Sequence, residues 1–281
     1  MEIIREVIKL REYRSSLPAE KVLGFVPTMG ALHQGHASLI RQSVKDNTVT
    51  TVSIFVNPTQ FAPDEDLDKY PRTHEEDHAL LASLGVDCVF QPEVSDIYSS
   101  NTFLQFKIHK WGERLEGYSR PGHLEGVLQV VSILFNLVQP DRAYFGLKDY
   151  QQCMLIKKLV EELHFPIEIV PCPIVRESDG LAMSSRNAYL SSKERTQALG
   201  LYETLNSVKE FAGRQSSVAK AQQFAQEALK AYPLLRLDYF QILHALTLEE
   251  ISSLTPQNTP HAFIAAYLGN TRLIDNMSLS M

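Results

Sequence analysis

Apolar residues recur along this chain at two spacings that take turns. Val7 to Tyr13 carries them at helical intervals, Lys21 to Val26 reads as a strand, His36 to Lys45 as a second helix, and Val49 to Val56 as a β-branched strand. That alternation predicts an α/β first half with a parallel sheet. Pro27 is expected to end the first strand, because proline cannot donate to a central ladder, and the TTVSIFV strand is followed by a second proline, Pro58. Further on, Thr73 with Glu76 forms a capping-box pattern that opens a helix to Leu84, Gly85 stands where a C-terminal cap belongs, and Asp87 to Phe90 is the next strand. From Thr102 to Trp111 the pattern is irregular. Leu124, Val127, Leu128, Val131, Leu134, Phe135 and Val138 then line one helical face. Val130, Ile133 and Leu137 occupy much of the other, which predicts a helix buried nearly all round. Arg142 to Gly146 is a short strand, a helix runs through Met154, Leu155, Leu159, Val160 and Leu163, and Ile167 to Val170 closes the series.

Beyond this point the pattern changes. Ser191 with Glu194 is another capping box, opening a long helix to about Phe211, and Val218 to Tyr232 is a further helix. Strands follow near Leu237 to Leu243, Ala262 to Tyr267 and Thr271 to Ile274. Helices followed by hairpin-spaced strands predict a smaller α+β domain, with the boundary between Pro173 and Arg176, dividing the chain into residues 1–174 and 175–281.

Composition narrows the function classes. The chain has 281 residues, 44% hydrophobic and 21% charged, which is globular and allows a substantial core. The charged N-terminus and the lack of any run of ~18 apolar residues predict a soluble cytoplasmic protein with no membrane partner. Cys88, Cys153 and Cys172 are far apart, without a CxxC pair, and read as buried thiols rather than a disulfide framework. A net charge of −6 with no Lys/Arg run argues against nucleic acid as a partner. An anionic ligand therefore needs a local cluster of donors.

The chain offers several candidates for one. GFVPTMGALHQGH reads as strand, loop and helix, with His33 and His36 across the helix start, where unpaired N–H groups and the dipole favour an anion. The same pair fits an ordinary helix start, or a metal site lacking both the Glu of HExxH and a third ligand at suitable spacing. Asn57 and Gln60, after the second strand, suit a hydroxyl and a carboxylate, or else form a plain turn. Asp77 complements the dipole of its helix or holds Mg²⁺ near a triphosphate. Arg120 and His123 stand before the buried helix, able to reach an anion or to cap carbonyls. Lys148, Asp149 and Gln152 fall at another strand end and helix start. After Gly180, Ser184, Ser185, Arg186 and Asn187 supply hydroxyls, N–H groups and a guanidinium, a donor set suited to a triphosphate.

Taken together, GFVPTMGALHQGH, SIFVNPTQF, EDLDKYPRT, SRPGHLEGV, PDRAYFGLKDYQQ, VRESDGLAMSSRN and TRLIDN resemble the pantoate–β-alanine ligase family, in order over nearly the whole chain. The resemblance implies an HxGH nucleotidylyltransferase-type Rossmann-like domain followed by the smaller α+β domain. It also implies ATP-dependent condensation of pantoate with β-alanine through pantoyl-adenylate, with Mg²⁺ and a homodimer. By the same resemblance, His33, His36 and Lys148, with Met183, Ser184, Ser185 and Arg186, would serve the ATP phosphates and the charge developing in transfer. Pro27, Thr28, Met29, Gly146, Asp149 and Val175 would complete the nucleotide site. Met29, Asn57, Gln60 and Gln152 would hold pantoate, Arg120 would serve β-alanine or the adenylate, and Asp77 would be the magnesium position. Two departures stand out, Leu147 where the family usually has Glu and Ala62 where Gly is usual. Competing readings are a nucleotidylyltransferase that moves AMP or CMP onto a phosphate acceptor, and a non-catalytic nucleotide-binding module.

Overall fold

The computed structural model describes residues 1–63, 65, 67–99 and 104–280, and they form two compact units. The first comprises Met1–Leu147 with Gln151–Pro173, the second Lys148–Tyr150 with Ile174–Met281.

The first unit is built on a six-stranded parallel sheet: β1 (Glu2–Ile4), β2 (Leu23–Thr28), β3 (Val49–Ile54), β4 (Cys88–Phe90), β5 (Arg142–Gly146) and β6 (Glu168–Cys172). Their spatial order is β1-β4-β3-β2-β5-β6, with every pairing parallel. Setting aside the short edge strand β1, this is the 3-2-1-4-5 order of a doubly wound Rossmann half, and the order reverses between β2 and β5. The helices α1 (Val7–Ser16), α2 (Gln34–Asp46), α3 (His74–Ser83), α4 (Val94–Ile97), α5 (Leu115–Ser119), α6 (His123–Val138) and α7 (Tyr150–Glu162) accompany it. Val26, Ile40, Val52, Ile54, Leu81, Val89 and Tyr144 share one buried cluster. As the two-faced apolar pattern predicts, α6 buries ten of its sixteen residues, from Leu124 to Val138. Cys88, Cys153 and Cys172 are all buried and none is joined in a disulfide, and burial pushes the Cys88 thiol up to about 12.

Three expectations need correction. β2 does not stop before Pro27 but runs through it to Thr28, in register with Ser53 and Ile54 of β3. Thr28 O accepts from Phe55 N, so Thr28 faces β3 and Pro27, one residue earlier, faces the β5 side. Pairing with β5 already ends at Phe25, so the missing N–H of Pro27 disrupts no ladder. Thr73 sits at the N-cap of α3 without capping it; its hydroxyl donates to Asp77 Oδ1 at 3.3 Å. The N-terminus, read only as charged, supplies β1, whose three residues are too few to show a period.

The second unit sets α8 (Ser192–Ala212) and α9 (Val218–Leu229) with an antiparallel sheet in the order β7 (Leu235–His244), β8 (Pro260–Leu268), β9 (Thr271–Ser278). Ala198, Leu201, Leu205, Ala221, Ile242, Ala262, Ile264 and Leu273 form its core. The capping box of α8 is present in both directions, with Ser191 N donating to Glu194 Oε2 at 2.9 Å and Glu194 N to Ser191 Oγ at 3.4 Å. Parallel sheet followed by an α+β unit is the fold class expected from the pattern.

Candidate active site

The loop leaving β2 lies at the carboxyl end of the sheet beside the point where strand order reverses, the usual ligand position in open α/β sheets. Thr28 Oγ1 donates to Ser53 O at 2.7 Å and accepts from Gly30 N at 3.2 Å, tying the strand end to the turn. Gly30 (φ 82°) and Ala31 (φ 50°) then adopt left-handed backbone in succession. Glycine does so readily, whereas a residue with a Cβ gives up about 1–2 kcal/mol. The turn is held by Asp77 of α3, whose Oδ2 accepts from Ala31 N at 2.9 Å and Oδ1 from Leu32 N at 2.8 Å.

His33 is the N-cap of α2 and His36 its third residue. His33 Nδ1 accepts from Gly35 N at 3.1 Å, and His36 Nδ1 accepts from His33 N at 3.3 Å. A ring nitrogen that accepts carries no proton, so each neutral ring holds its hydrogen on Nε2. The centroids are 4.1 Å apart and the planes inclined by 40°. The helix start thus carries two imidazole donors of defined tautomer where developing negative charge is favoured. Among the described residues no group of three His, Cys, Asp or Glu side chains is arranged to hold a metal ion.

Asn57 and Gln60, both buried, belong to the short 3₁₀ turn after β3. Asn57 Oδ1 accepts from Thr59 N at 3.3 Å, Thr59 Oγ1 at 2.9 Å and Tyr98 OH at 2.7 Å. Its Nδ2 donates to Gln60 Oε1 at 3.0 Å and Gly126 O at 3.1 Å. With its amide fully used, Asn57 sets the orientation of Gln60, whose Nε2 then faces Met29 Sδ at 3.2 Å. Gly126 is required for this packing, since a Cβ there would lie 2.2 Å from Thr59 O. Gln152, half-buried on α7, belongs to the same unit. Its neighbour Gln151 is buried and holds the Trp111–Gly117 backbone, accepting from Glu116 N at 2.9 Å and donating to Trp111 O at 2.7 Å.

Arg120 is paired side-on with Glu65, both distances 2.7 Å, and donates to His123 Nε2 at 2.9 Å, while His123 Nδ1 donates to Gln60 O at 2.9 Å. Burial, then the Arg120 charge, lowers His123 to about 4, so the ring is neutral in this relay. Burial pushes Glu65 up, but the hydrogen bonds and charge of Arg120 outweigh it and leave the carboxyl below its usual range. Arg120 and the pantoate candidate Gln60 are therefore linked through one imidazole. Two acidic residues of this stretch, Asp64 and Asp66, lie outside the described residues.

In the second unit, Lys148 and Asp149 form a 3₁₀ turn with Leu147 after β5, Nζ lying 3.5 Å from Asp149 Oδ1. Lys148 O accepts from Asn276 Nδ2 at 3.0 Å, and Asn276 Oδ1 accepts from His261 Nε2 at 2.9 Å. His261 is buried against Tyr150, ring centroids 4.3 Å apart, and burial lowers it to about 4. Ser184 caps the 3₁₀ segment Ser185–Tyr189, its Oγ accepting from Arg186 N at 3.3 Å. Met183 N donates to Val175 O at 3.0 Å, and Asn187 Nδ2 to Glu177 Oε1 at 2.9 Å. Lys148, Ser184, Asn187 and Asp275 line one cavity of about 10 Å³, room for a single water. Asp275 is paired with Arg176 at 2.6 Å.

The sequence profile described as pantoate-beta-alanine ligase matches residues 2–278. This chain belongs to the pantoate–β-alanine ligase family. The pantothenate synthetase of Bacteroides thetaiotaomicron is 46% identical over 278 residues, covering 99% of this chain and 98% of that one. A crystal structure of the Thermus thermophilus pantothenate synthetase superposes with a TM-score of 0.94 at 44% identity, each chain covered in full. The Francisella tularensis pantoate-beta-alanine ligase, solved as a complex with beta-gamma ATP and beta-alanine, gives a TM-score of 0.82 at 37% identity, covering 99% of this chain and 98% of that one.

Within this ligase, sequence reading had no signal for the supports of the site. Asn276 and His261 lie more than a hundred residues after Lys148, and nothing in TRLIDN announces that its Asn holds a distant carbonyl. Gln151 escapes notice beside its neighbour Gln152 because adjacent glutamines on a helix differ only in which face they take. Asp77, expected as a magnesium ligand, does not fit that role. Both oxygens accept from backbone N–H groups at 2.8–2.9 Å, and the residue is 2% exposed.

Proposed function

We propose that this chain condenses pantoate with β-alanine at the expense of ATP. A pantoate carboxylate oxygen attacks the α-phosphorus, the bond from that phosphorus to pyrophosphate breaks, and pantoyl-adenylate forms. The neutral amine of β-alanine attacks the acyl carbon, loses its proton, and AMP departs with the bridging oxygen. No enzyme nucleophile is needed, in keeping with three buried cysteines. Catalysis then rests on positioning and on donors aimed at phosphate oxygens.

The observation that carries this reading is the histidine pair, each ring fixed through Nδ1 and protonated on Nε2 at the start of α2. In the proposal His33 and His36 donate to the ATP phosphates. Lys148, Ser184, Ser185 and Arg186 serve the same phosphates, while Pro27, Thr28, Gly146, Asp149, Val175 and Met183 line the nucleotide. Gln60, oriented by Asn57, and Gln152 hold pantoate, with Met29 against its dimethyl carbon. Arg120 receives the β-alanine carboxylate only if that carboxylate replaces Glu65. Magnesium, kept mostly by phosphate oxygens and water in nucleotide sites, enters with ATP in this reading, and no step is assigned to it through Asp77. No helix among the described residues is long and apolar enough to cross a membrane; a cytoplasmic homodimer is the setting the family resemblance suggests.

The test is exchange of labelled pyrophosphate into ATP. The proposal expects exchange only with pantoate present and AMP release only when β-alanine is added. Exchange without pantoate would overturn it, as would pyrophosphate formation with no AMP after the amine is supplied, the signature of a nucleotidylyltransferase.

A further inference from the structure

We infer that Asp77 is a positioning residue, the internal anion that sets the turn carrying the histidine pair, rather than a ligand of the reaction's magnesium. The inference rests on the assignment of His33 and His36 to the ATP phosphates. A carboxylate that coordinates Mg²⁺ directs lone pairs at the ion and keeps some access to water. Asp77 does neither. Oδ2 accepts from Ala31 N at 2.9 Å, Oδ1 from Leu32 N at 2.8 Å and from Thr73 Oγ1 at 3.3 Å, and the residue is 2% exposed.

The turn it grips is one that needs gripping. Gly30 at φ 82° and Ala31 at φ 50° give two consecutive left-handed residues, and the N–H groups of Ala31 and Leu32 that follow converge on the two oxygens of Asp77. A Cβ on Gly30 would lie 3.0 Å from Asp77 Oδ2 and 3.1 Å from Ile54 Cγ2, so the carboxylate fits closely under the turn. Leu32 N–H is bound to Asp77, and the next residue, His33, starts α2 and offers its own N–H to His36. The carboxylate is anchored in turn, because Asp77 N donates to Thr73 O at 2.8 Å in the first turn of α3. Displacing this anion lets Ala31 relax toward right-handed backbone and swings both rings away from the phosphates. Misplacement by about 1 Å is enough to cost ~10²-fold in rate.

The test compares wild type, Asp77→Asn and His36→Ala in pantoate-dependent pyrophosphate exchange across a magnesium titration. The inference expects Asp77→Asn to lower kcat by ~10- to 100-fold at every magnesium concentration, with half-saturating magnesium and pantoate KM each within about two-fold of wild type. Recovery of the rate at high magnesium makes Asp77 a metal ligand and overturns the inference; an unchanged kcat also overturns it. If wild type shows no pantoate-dependent exchange, or His36→Ala is undiminished, the underlying phosphate assignment fails instead. A measurement on wild type decides the matter even if Asp77→Asn does not fold. The Ala31 and Leu32 amides lie outside helix and strand, yet the inference expects hydrogen exchange slowed by ~10²-fold or more against an open loop, and rapid exchange at both overturns it.

Discussion

Asn57→Ala removes a side chain that touches no substrate in the proposed reaction yet is expected to change both stability and pantoate use. Five hydrogen bonds vanish with it. The hydroxyls of Thr59 and Tyr98 lie 3.2 Å apart and stay paired, and Gly126 O keeps the Thr59 hydroxyl at 3.5 Å, so Thr59 N and Gln60 Oε1 are the groups that lose the partner Asn57 gave them. At ~1 kcal/mol for each of these two groups left buried, the loss is about 2 kcal/mol, within the ~5–15 kcal/mol of an ordinary domain, so the variant stays folded. Urea unfolding reads this as a lower midpoint at unchanged slope. Gln60 loses the donor that fixes its amide. A hydrogen bond to a charged substrate group contributes ~1.5 kcal/mol, so pantoate KM should rise about tenfold while ATP KM holds. Stability lowered by under ~1 kcal/mol, together with an unchanged pantoate KM, would refute the idea that Asn57 orients Gln60.

Glu65→Gln weakens the carboxylate that fills Arg120, so β-alanine KM should fall by ~3- to 10-fold in the second half-reaction with adenylation unaltered. An unmoved β-alanine KM would take Arg120 out of that role. Acid stability should report His261. Its folded pKa of about 4 lies below the unfolded value near 6.5, so on acidification the unfolded chain takes up the proton first. The contribution is therefore complete above about pH 6.5 and falls as pH drops toward 4, by as much as ~3 kcal/mol. His261→Gln should flatten the pH dependence of the urea midpoint between those values; an identical slope in the two proteins would contradict it.

The parts of this molecule legible in the sequence are those that depend on near neighbours. Strand and helix alternate in the first half because apolar spacing reports burial locally, and the buried helix α6 was visible for the same reason. The histidine pair was legible as a helix start because N-cap and third residue lie within one turn. Groups with distant partners were not legible. Thr73 and Glu76 have the spacing of a capping box, yet the Thr73 hydroxyl turns to Asp77, itself committed to a turn 45 residues upstream. Pro27 looked like a strand end because its neighbours in the sheet are unknown to the sequence, and only the early end of β5 makes it tolerable inside β2. Asn57 and Gln60 read as two ligand groups of equal standing. Gly126, remote in sequence, accepts an amide proton of Asn57 whose other donor bond goes to Gln60, and neither partner is announced by the local sequence.

In the proposed reaction the oxygen joining pantoate to phosphorus comes from the substrate carboxylate, and attack is at the α-phosphorus. Pantoate labelled with ¹⁸O in its carboxyl group, turned over with ATP and β-alanine, tests this directly by mass spectrometry of the products. One labelled oxygen is expected in each AMP formed, with none in pyrophosphate. Label appearing in inorganic phosphate beside ADP would mean attack at the γ-phosphorus, and unlabelled AMP would mean that no acyl-adenylate forms; either result contradicts it.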